Sequence, residues 1–152
     1  MPSVRRTRTI AAPAAELWDT IRDPHHLPRW WPRVSRVEDV TGEAFTEVLR
    51  ASGGKLVRAD FELVECDERA RRLRWEQRIE DSPFARLLKS AETTVSLAPA
   101  DRQTAHTAVT IELSQTLRGF SARFGSVMVR RAAAATIEEA LDGLERIGGA
   151  VD

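Results

Sequence analysis

The chain has 152 residues, of which 42% are hydrophobic and 30% are charged, so its composition is that of a folded globular domain and excludes an intrinsically disordered protein. Its 23 lysine and arginine residues balance its 23 aspartate and glutamate residues, and it lacks the excess of positive charge that is typical of nucleic-acid-binding domains. Cys66 is the only cysteine, which excludes an intramolecular disulfide and a zinc site built from four thiolates.

The N-terminal region is predicted to form one strand and two short helices. Residues 3–10 have β-branched residues near both ends and no helix or strand breaker, which favours a strand. Pro13 fits the first turn of the following helix, where its missing N–H costs no hydrogen bond. The apolar face of this helix is formed by Leu17, Trp18 and Ile21. This helix ends at Asp23-Pro24, because the residue before a proline is pushed out of the helical region. A second short helix begins at Pro24, and Pro32 ends it.

From residue 34 onward, hydrophobic and polar residues alternate with period two, which predicts six further strands. These strands cover residues 34–40, 45–51, 57–63, 72–79, 93–97 and 109–117. The turns between them are marked by Gly42, Ser52-Gly53-Gly54, the charged stretch 65–71 and Pro99-Ala100-Asp101. Because the strands follow one another with short turns, we expect an antiparallel sheet with one apolar face and one face in water.

After Gly119 the hydrophobic period returns to 3.6 residues, which predicts one long helix that ends at Gly148-Gly149. At about 25 residues this helix would be roughly 37 Å long and would span the domain. Its predicted apolar stripe consists of Phe120, Phe124, Val127, Met128, Ala135, Leu141 and Leu144. The element order predicts a single α+β domain over residues 1–152, with a curved antiparallel sheet wrapped around the C-terminal helix.

Several short motifs recur along this chain in the same order as in a known superfamily. They are Ile10-Ala11-Ala12-Pro13, Leu17-Trp18-Asp19, Ile21, Asp23-Pro24, Leu27-Pro28, Trp30-Trp31-Pro32, Val34, Gln77, Ser82-Pro83-Phe84-Ala85-Arg86 and the helix that runs from Leu117-Arg118-Gly119 to Leu144. With these residues the chain resembles the START-like superfamily, also called the helix-grip or birch-pollen-allergen-like fold. More specifically, it resembles the bacterial SRPBCC branch of polyketide cyclase/dehydrase and lipid transport proteins.

The resemblance implies a seven-stranded sheet that grips the C-terminal helix, with the two short helices closing the gap. Members commonly enclose an apolar cavity for lipids, polyketides, hormones or aromatic compounds. Some are cyclases or aromatases, many are carriers, and others act through protein partners. Cyclase and aromatase members often use Tyr, Arg or His in the cavity, and this chain contains no tyrosine.

A ligand site is predicted on the inward face of the sheet and helix, where apolar residues surround a few polar groups. The candidate ligand-binding residues are Trp31, Phe45, Glu47, Phe61, Trp75, Gln77, Val95, Leu113, Gln115, Phe124, Met128 and Arg131. The alternative is that the aromatic residues simply fill the core. Burying Glu47, Gln77 and Gln115 without partners would cost about 1–3 kcal/mol each, which favours water, a ligand or a mutual network beside them. A register slip of one residue would instead place them in water.

Other conspicuous residues allow more than one interpretation. Trp30 and Trp31 could gate a ligand entrance, or one could anchor the short helix while the other lies on the surface. His25 and His26 are adjacent, so they would point about 100° apart on a helix, and no metal site is predicted. The segment 81–90 is long for a hairpin turn and could be a lid, a partner surface or a cover for the open end of the sheet.

Three functions are compatible with the sequence, and we rank them in order. The first is binding or carrying of a small hydrophobic molecule. The second is a cyclase/dehydrase-type enzyme, for which Glu47 is the candidate acid–base group because burial would raise its pKa. The third is a protein-interaction module that has no ligand and acts through segment 81–90. Catalysis ranks below binding because no nucleophile elbow, phosphate-binding loop or dinucleotide motif is present.

The partner predicted by this ranking is a small hydrophobic molecule, without nucleic acid and without a cofactor. No segment approaches 18 consecutive apolar residues, so no membrane span is predicted. The first ten residues are polar and rich in arginine, which is not typical of a signal peptide, and we expect a cytoplasmic location. Both a monomer and a homodimer are compatible with the sequence.

Overall fold

The computed structural model describes residues 3–100, 105–119, 121–149 and 151, and for residues 121–124 and 126 it describes the backbone alone. Within these residues, seven strands form one curved antiparallel sheet: β1 (Ser3–Ile10), β2 (Val34–Glu38), β3 (Ala44–Arg50), β4 (Leu56–Asp67), β5 (Arg72–Arg78), β6 (Leu88–Pro99) and β7 (Thr107–Leu117). Their order across the sheet is β1-β7-β6-β5-β4-β3-β2, so only β1 pairs with a strand distant in the chain.

The helices are α1 (Ala14–Ile21), α2 (Leu27–Trp30) and α3 (Ser121–Gly148). A 3-10 turn over Pro24–His26 leads into α2, and the Asp23 carboxylate caps that turn by accepting a hydrogen bond from the backbone N–H of His25. The 28 residues of α3 pack against β1 and β7, and α2 crosses α3. The predicted α+β helix-grip fold is confirmed.

The main core lies between the sheet and the C-terminal half of α3. Leu17, Trp18 and Ile21 of α1 are buried, as their spacing predicts. The buried apolar side chains that the structure describes on α3 are Ala133, Ile137, Ala140, Leu141 and Leu144, which share one face of the helix.

The predicted apolar stripe of α3 is wrong in its N-terminal half. Val127 and Met128 are 61% and 74% exposed, and Ala135 is also exposed. At 100° per residue Met128 and Ala135 lie opposite the face that carries Ala133 and Ile137, and Val127 lies to one side of it. Leu141 and Leu144 are buried as predicted, whereas Phe120 and the side chain of Phe124 lie outside the described residues.

Two strands, β4 and β6, extend furthest beyond their predicted boundaries. β4 continues into the charged stretch 65–71 and ends at Asp67. A bulge between Leu63 and Glu65 shifts its register with β5. This bulge adds one residue to β4, which breaks the alternation on which the predicted boundary depended. β6 begins at Leu88, so part of segment 81–90 belongs to the sheet.

Contacts from β1 and α2 fix α3 against the rest of the molecule. Arg8 of β1 donates hydrogen bonds to Glu138 (2.5 Å), Asp142 (2.5 Å) and Glu145 (2.6 Å), which lie on successive turns of α3. Where α2 crosses α3, Gly143 faces the backbone of Trp30 so closely that a Cβ atom would lie 2.7 Å from the Trp30 Cα. The helix therefore has little freedom to move on the sheet at this end.

Candidate functional site

A cavity of about 880 Å³ lies between the inner face of the sheet and the N-terminal half of α3. Strands β3 to β7 contribute its walls, and Ala132, Ala133 and Thr136 of α3 contribute its roof. Small side chains on the helix leave this volume open, because they do not reach the opposite strands. Among the described residues, side chains therefore leave this part of the interior unfilled.

Aromatic rings form one continuous wall of the cavity. The ring centroids of Trp31 and Trp75 are 5.9 Å apart with an interplanar angle of 71°, an edge-to-face contact. Phe45 stacks on Phe61 at 5.3 Å and meets Trp75 edge-to-face at 6.1 Å. Such pairs add about 0.5–1.5 kcal/mol beyond burial of their area. Trp31, Phe61 and Trp75 face the cavity, while Phe45 lies behind them in the core.

Glu47 is the most buried acid of the cavity wall, with 2% of its surface exposed. It lies on β3 opposite Val37 and Ala59, two residues without polar side-chain atoms. Among the described residues, none makes a hydrogen bond or ion pair with its carboxyl group. Burial raises the pKa of Glu47 to about 8. At neutral pH the group is therefore mostly protonated and can donate a hydrogen bond into the cavity.

Two glutamines lie on the same inner face. Gln77 of β5 pairs with Phe61 of β4, and its amide nitrogen Nε2 is buried without a hydrogen-bond partner in the described structure. Gln115 of β7 lies opposite Ala91 of β6, and both of these residues line the cavity together with Gln77. A buried donor without a partner costs about 1–3 kcal/mol, which a bound molecule or water would recover.

The cavity opens beside the corner that joins α2 to β2. Trp31, Pro32 and Arg33 border it there, together with Arg50 at the end of β3. Arg33 and Arg50 are held together by a backbone hydrogen bond of 2.8 Å, in which the Arg50 N–H donates to the Arg33 carbonyl. Trp31 lies at this opening, whereas Trp30 is 1% exposed and anchors α2 in the core.

Comparison with known proteins agrees with this architecture. The sequence model of the family described as polyketide cyclase / dehydrase and lipid transport matches residues 1–147. The chain belongs to this family. Among curated proteins, none matches the sequence.

Solved structures of other proteins share the fold over almost the whole chain. TTHA0849 from Thermus thermophilus is 25% identical, with a TM-score of 0.75 and 95% of each chain covered. A START superfamily protein from Mycobacterium smegmatis is 16% identical, with a TM-score of 0.74 and 96% of each chain covered. The di-domain ARO/CYC BexL from the BE-7585A biosynthetic pathway is 19% identical, with a TM-score of 0.78, and the match covers 96% of this chain and 46% of BexL.

Most of the predicted ligand-binding residues of this polyketide cyclase/dehydrase family member line the cavity. They are Trp31, Glu47, Phe61, Trp75, Gln77, Leu113 and Gln115. Phe45 and Val95 are instead packed in the main core, with 4% and 0% of their surfaces exposed. They lie on the inner face, as their alternation predicts, but neighbouring side chains separate them from the open volume.

Two of the three predicted helix residues are not part of the cavity wall. Met128 and Arg131 are both exposed, because the N-terminal half of α3 presents the opposite face to the sheet. Neither residue therefore lines the cavity that Glu47 borders. The side chain of Phe124 lies outside the described residues.

Sequence reasoning missed the helix residues that do face the cavity, namely Val129, Ala132, Ala133 and Thr136. The run Ala132–Ala135 carries no hydrophobic bulk, so a search for large apolar residues passes over it. Small side chains on a helix that faces strands with large side chains are the signal that would have indicated a cavity.

Segment 81–90 forms one end of the cavity. Its 3-10 turn, Pro83–Arg86, begins at Ser82, whose hydroxyl accepts a hydrogen bond of 3.3 Å from the Phe84 N–H. Phe84 and Leu88 line the cavity, as does Leu87, which is 49% exposed. The segment therefore covers the open end of the sheet, which is one of the alternatives that its length allowed.

Across the described residues, no three His, Cys, Asp or Glu side chains form a group that could hold a metal ion. His25 and His26 are instead close to the carboxylate of Asp23, at 2.8 Å and 3.8 Å. In the part of the chain that the structure describes, none of the helices has the length and hydropathy needed to cross a membrane.

Proposed function

We propose that this protein binds or carries a small hydrophobic molecule, such as a lipid, a polyketide or an aromatic compound, between the sheet and α3. The observation that carries this proposal is the cavity of about 880 Å³, whose wall also contains the polar groups of Glu47 and Gln77, for which the described residues supply no hydrogen-bond partner to the Glu47 carboxyl or the Gln77 Nε2. Ligand pockets are typically about 300–1,000 Å³, mostly apolar, with a few polar groups that fix orientation. Membership of a family described by polyketide cyclization and lipid transport supports the same class of ligand.

The polar groups suggest how a ligand would be oriented. At neutral pH the protonated Glu47 carboxyl donates a hydrogen bond and the Gln77 amide nitrogen donates another, so a carbonyl or hydroxyl oxygen of the ligand satisfies both. The ligand's apolar part would contact Phe61 and Trp75. A hydrophobic molecule with at least one oxygen acceptor fits this arrangement better than a pure hydrocarbon.

A cavity-filling substitution tests this proposal directly. Ala91 lies on the inner face of β6, and Ala98 lies on the outer face of the same strand and is exposed. We expect Ala91→Phe to reduce binding of the neutral fluorescent probe N-phenylnaphthylamine at least tenfold, because the ring occupies the ligand volume. The matched control Ala98→Phe should leave binding unchanged.

Native mass spectrometry of protein purified from its own host identifies the ligand. The wild-type protein should retain a co-purified hydrophobic molecule, and Ala91→Phe should lose it. If Ala91→Phe and Ala98→Phe both bind N-phenylnaphthylamine as the wild type does, the cavity is not the binding site and the proposal fails.

A cyclase/dehydrase-type reaction is the second candidate, and the environment of Glu47 favours it. A carboxyl group with a pKa of about 8 is well matched to proton transfer near neutral pH. In a dehydration, the carboxylate would take the proton from the carbon next to a ligand carbonyl, and the protonated acid would return it to the β-hydroxyl, which leaves as water. The shape of the cavity would supply the positioning. Release of a polyketide whose mass is lower by one water molecule would distinguish this reaction from simple binding or transport.

A further inference from the structure

Two arginines at the cavity opening have no carboxylate partner in the part of the chain that the structure describes. Arg33 and Arg50 are exposed, and both border the large cavity. Among the described residues, no side chain makes an ion pair or hydrogen bond with either guanidinium group. By contrast, Arg58 pairs with Glu38 and Arg72 pairs with Glu65 on the outer face of the sheet.

The backbone holds these two arginines in a fixed relation. Arg33 has φ of 65°, the left-handed region that residues with a side chain rarely adopt, and it lies between Pro32 and the start of β2. The Arg50 N–H donates a 2.8 Å hydrogen bond to its carbonyl. Strained backbone of this kind is concentrated at functional sites and costs on the order of 1–3 kcal/mol.

A second, smaller cavity of about 270 Å³ adjoins the opening and extends the positive charge. It shares Trp31, Pro32, Arg33 and Arg50 with the large cavity and adds Arg29 and Arg146. Its carboxylates are Glu139 and Asp142, and Asp142 already accepts a hydrogen bond from Arg8 at 2.5 Å. Four guanidinium groups thus face two carboxylates, one of which is already paired.

We propose that the ligand is amphipathic, with its hydrophobic part in the large cavity and an anionic carboxylate or phosphate group held by Arg33 and Arg50 at the opening. This inference rests on the proposed binding function and deepens it. Guanidinium groups bind both kinds of anion through two parallel N–H donors, a geometry that a single surface lysine cannot supply. The aromatic wall begins at Trp31, directly beside the arginines, so one molecule can reach both regions.

The test compares three ligands that share one alkyl chain: decanoate, decyl phosphate and decanol. The affinity of each ligand is measured by displacement of N-phenylnaphthylamine. The three proteins compared are the wild type, the double variant Arg33→Gln/Arg50→Gln and the control double variant Arg5→Gln/Arg69→Gln. The control removes the same charge from two exposed arginines that border neither cavity. Circular dichroism confirms that each variant is folded.

We expect the Arg33→Gln/Arg50→Gln variant to bind both anions about tenfold more weakly, because each exposed ion pair contributes modestly. Decanol binding should be unchanged in this variant, and the control should bind all three ligands as the wild type does. Raising the salt concentration should weaken binding of the anions and not of decanol. The ratio of decanoate to decyl phosphate affinity then identifies the preferred head group.

Two outcomes would overturn the inference: no loss of anion affinity in the arginine variant, or an equal loss for decanol. Ala91→Phe separates this failure from failure of the proposed function. If that variant loses decanol while the arginine variant keeps both anions, the cavity binds ligands without a head-group site. If Ala91→Phe keeps decanol, the ligand does not occupy the cavity at all, and both proposals fail.

Discussion

Glu47 illustrates how one residue can couple the ligand site to the stability of the protein. It lies on β3 with no hydrogen-bond partner among the described residues, and its pKa rises from the ordinary 4.5 to about 8 because it is buried. Between these two pH values the folded protein keeps a proton that the unfolded chain releases. Raising the pH therefore favours unfolding throughout this range.

We expect the free energy of unfolding to fall with pH by up to about 1.4 kcal/mol per unit between about pH 4.5 and 8, and to level off above about pH 8. Glu47→Gln has no proton to release and should remove this dependence, so that it is more stable than the wild type at about pH 8. Urea denaturation of ligand-free protein at a series of pH values measures the effect. Glu43→Gln, at an exposed acid just before β3, is the control and should keep the wild-type slope. Parallel pH profiles for wild type and Glu47→Gln would contradict the assignment.

At the residue scale, the sequence predicted the cavity residues on the strands better than the residues at the cavity opening. Glu47, Phe61, Trp75 and Gln77 could be placed because strict alternation decides which face each occupies. Arg33 and Arg50 could not, since their role comes from a corner and a strand end that only the folded chain brings together. Thr46 and Val48, expected in water, are buried as well, so alternation alone does not reveal which part of β3 is covered on both faces.

At the scale of elements, the crossing of α2 and α3 depends on the absence of one side chain. The Trp30 backbone lies directly over Gly143, and a Cβ atom would be 2.7 Å from the Trp30 Cα and 2.9 Å from its carbonyl carbon. These are backbone atoms at the end of α2, which cannot rotate away as a flexible side chain would. The close approach buries Trp30 and sets the position of Trp31 at the cavity opening.

Gly143→Ala should therefore lower the free energy of unfolding by about 1–3 kcal/mol, the usual cost of overpacking. A decrease in stability is informative because helix propensity alone predicts an increase. Alanine stabilises a helix by about 1 kcal/mol relative to glycine. Gly42→Ala is the matched control, since nothing lies within 4 Å of its added Cβ. Chemical denaturation of both variants measures the difference. A more stable Gly143→Ala protein would mean that the helices are not in close contact.

The sequence did not predict which face of the N-terminal half of α3 is turned toward the sheet, and the reason is physical. Hydrophobic periodicity identifies the buried face only where large apolar residues fill the space beneath it. Beside the cavity the inward positions carry Ala132, Ala133 and Thr136, while the larger Val127 and Met128 face outward. In the C-terminal half, where the core is filled, Leu141 and Leu144 indicated the correct face.

At the scale of the whole molecule, the cavity divides the interior into two unequal parts. The main cluster includes Ile137, Leu144 and Trp75 and continues under α1 and α2. A small second cluster consists of Ile79, Leu88 and Leu117, with Phe84 and Val129 packed against it. Residues of both clusters line the cavity, so it lies between them. Stability should therefore be concentrated at the end of the sheet that holds the main cluster, and the end that holds the small cluster should be the softer one.

Two truncations of similar size measure this asymmetry. Ile137 is fully buried in the main cluster, and Leu88, 8% exposed, borders the cavity from the small cluster. We expect Ile137→Ala to cost about 3–4 kcal/mol, because it removes a side chain with packing partners on all sides and leaves a new void. Leu88→Ala should cost only about 2 kcal/mol, since a side chain beside an existing cavity already lacks partners on one side.

Urea denaturation compares the two variants, and hydrogen exchange locates the difference. Amides at the start of β6 should exchange through openings of lower free energy than those of β1 and β7, and a saturating ligand should slow them selectively, because the ligand joins the two clusters into one packed core. Equal costs for the two truncations, together with uniform protection along β6, would mean that the interior is continuous. The cavity wall beside the small cluster would then be no softer than the main core.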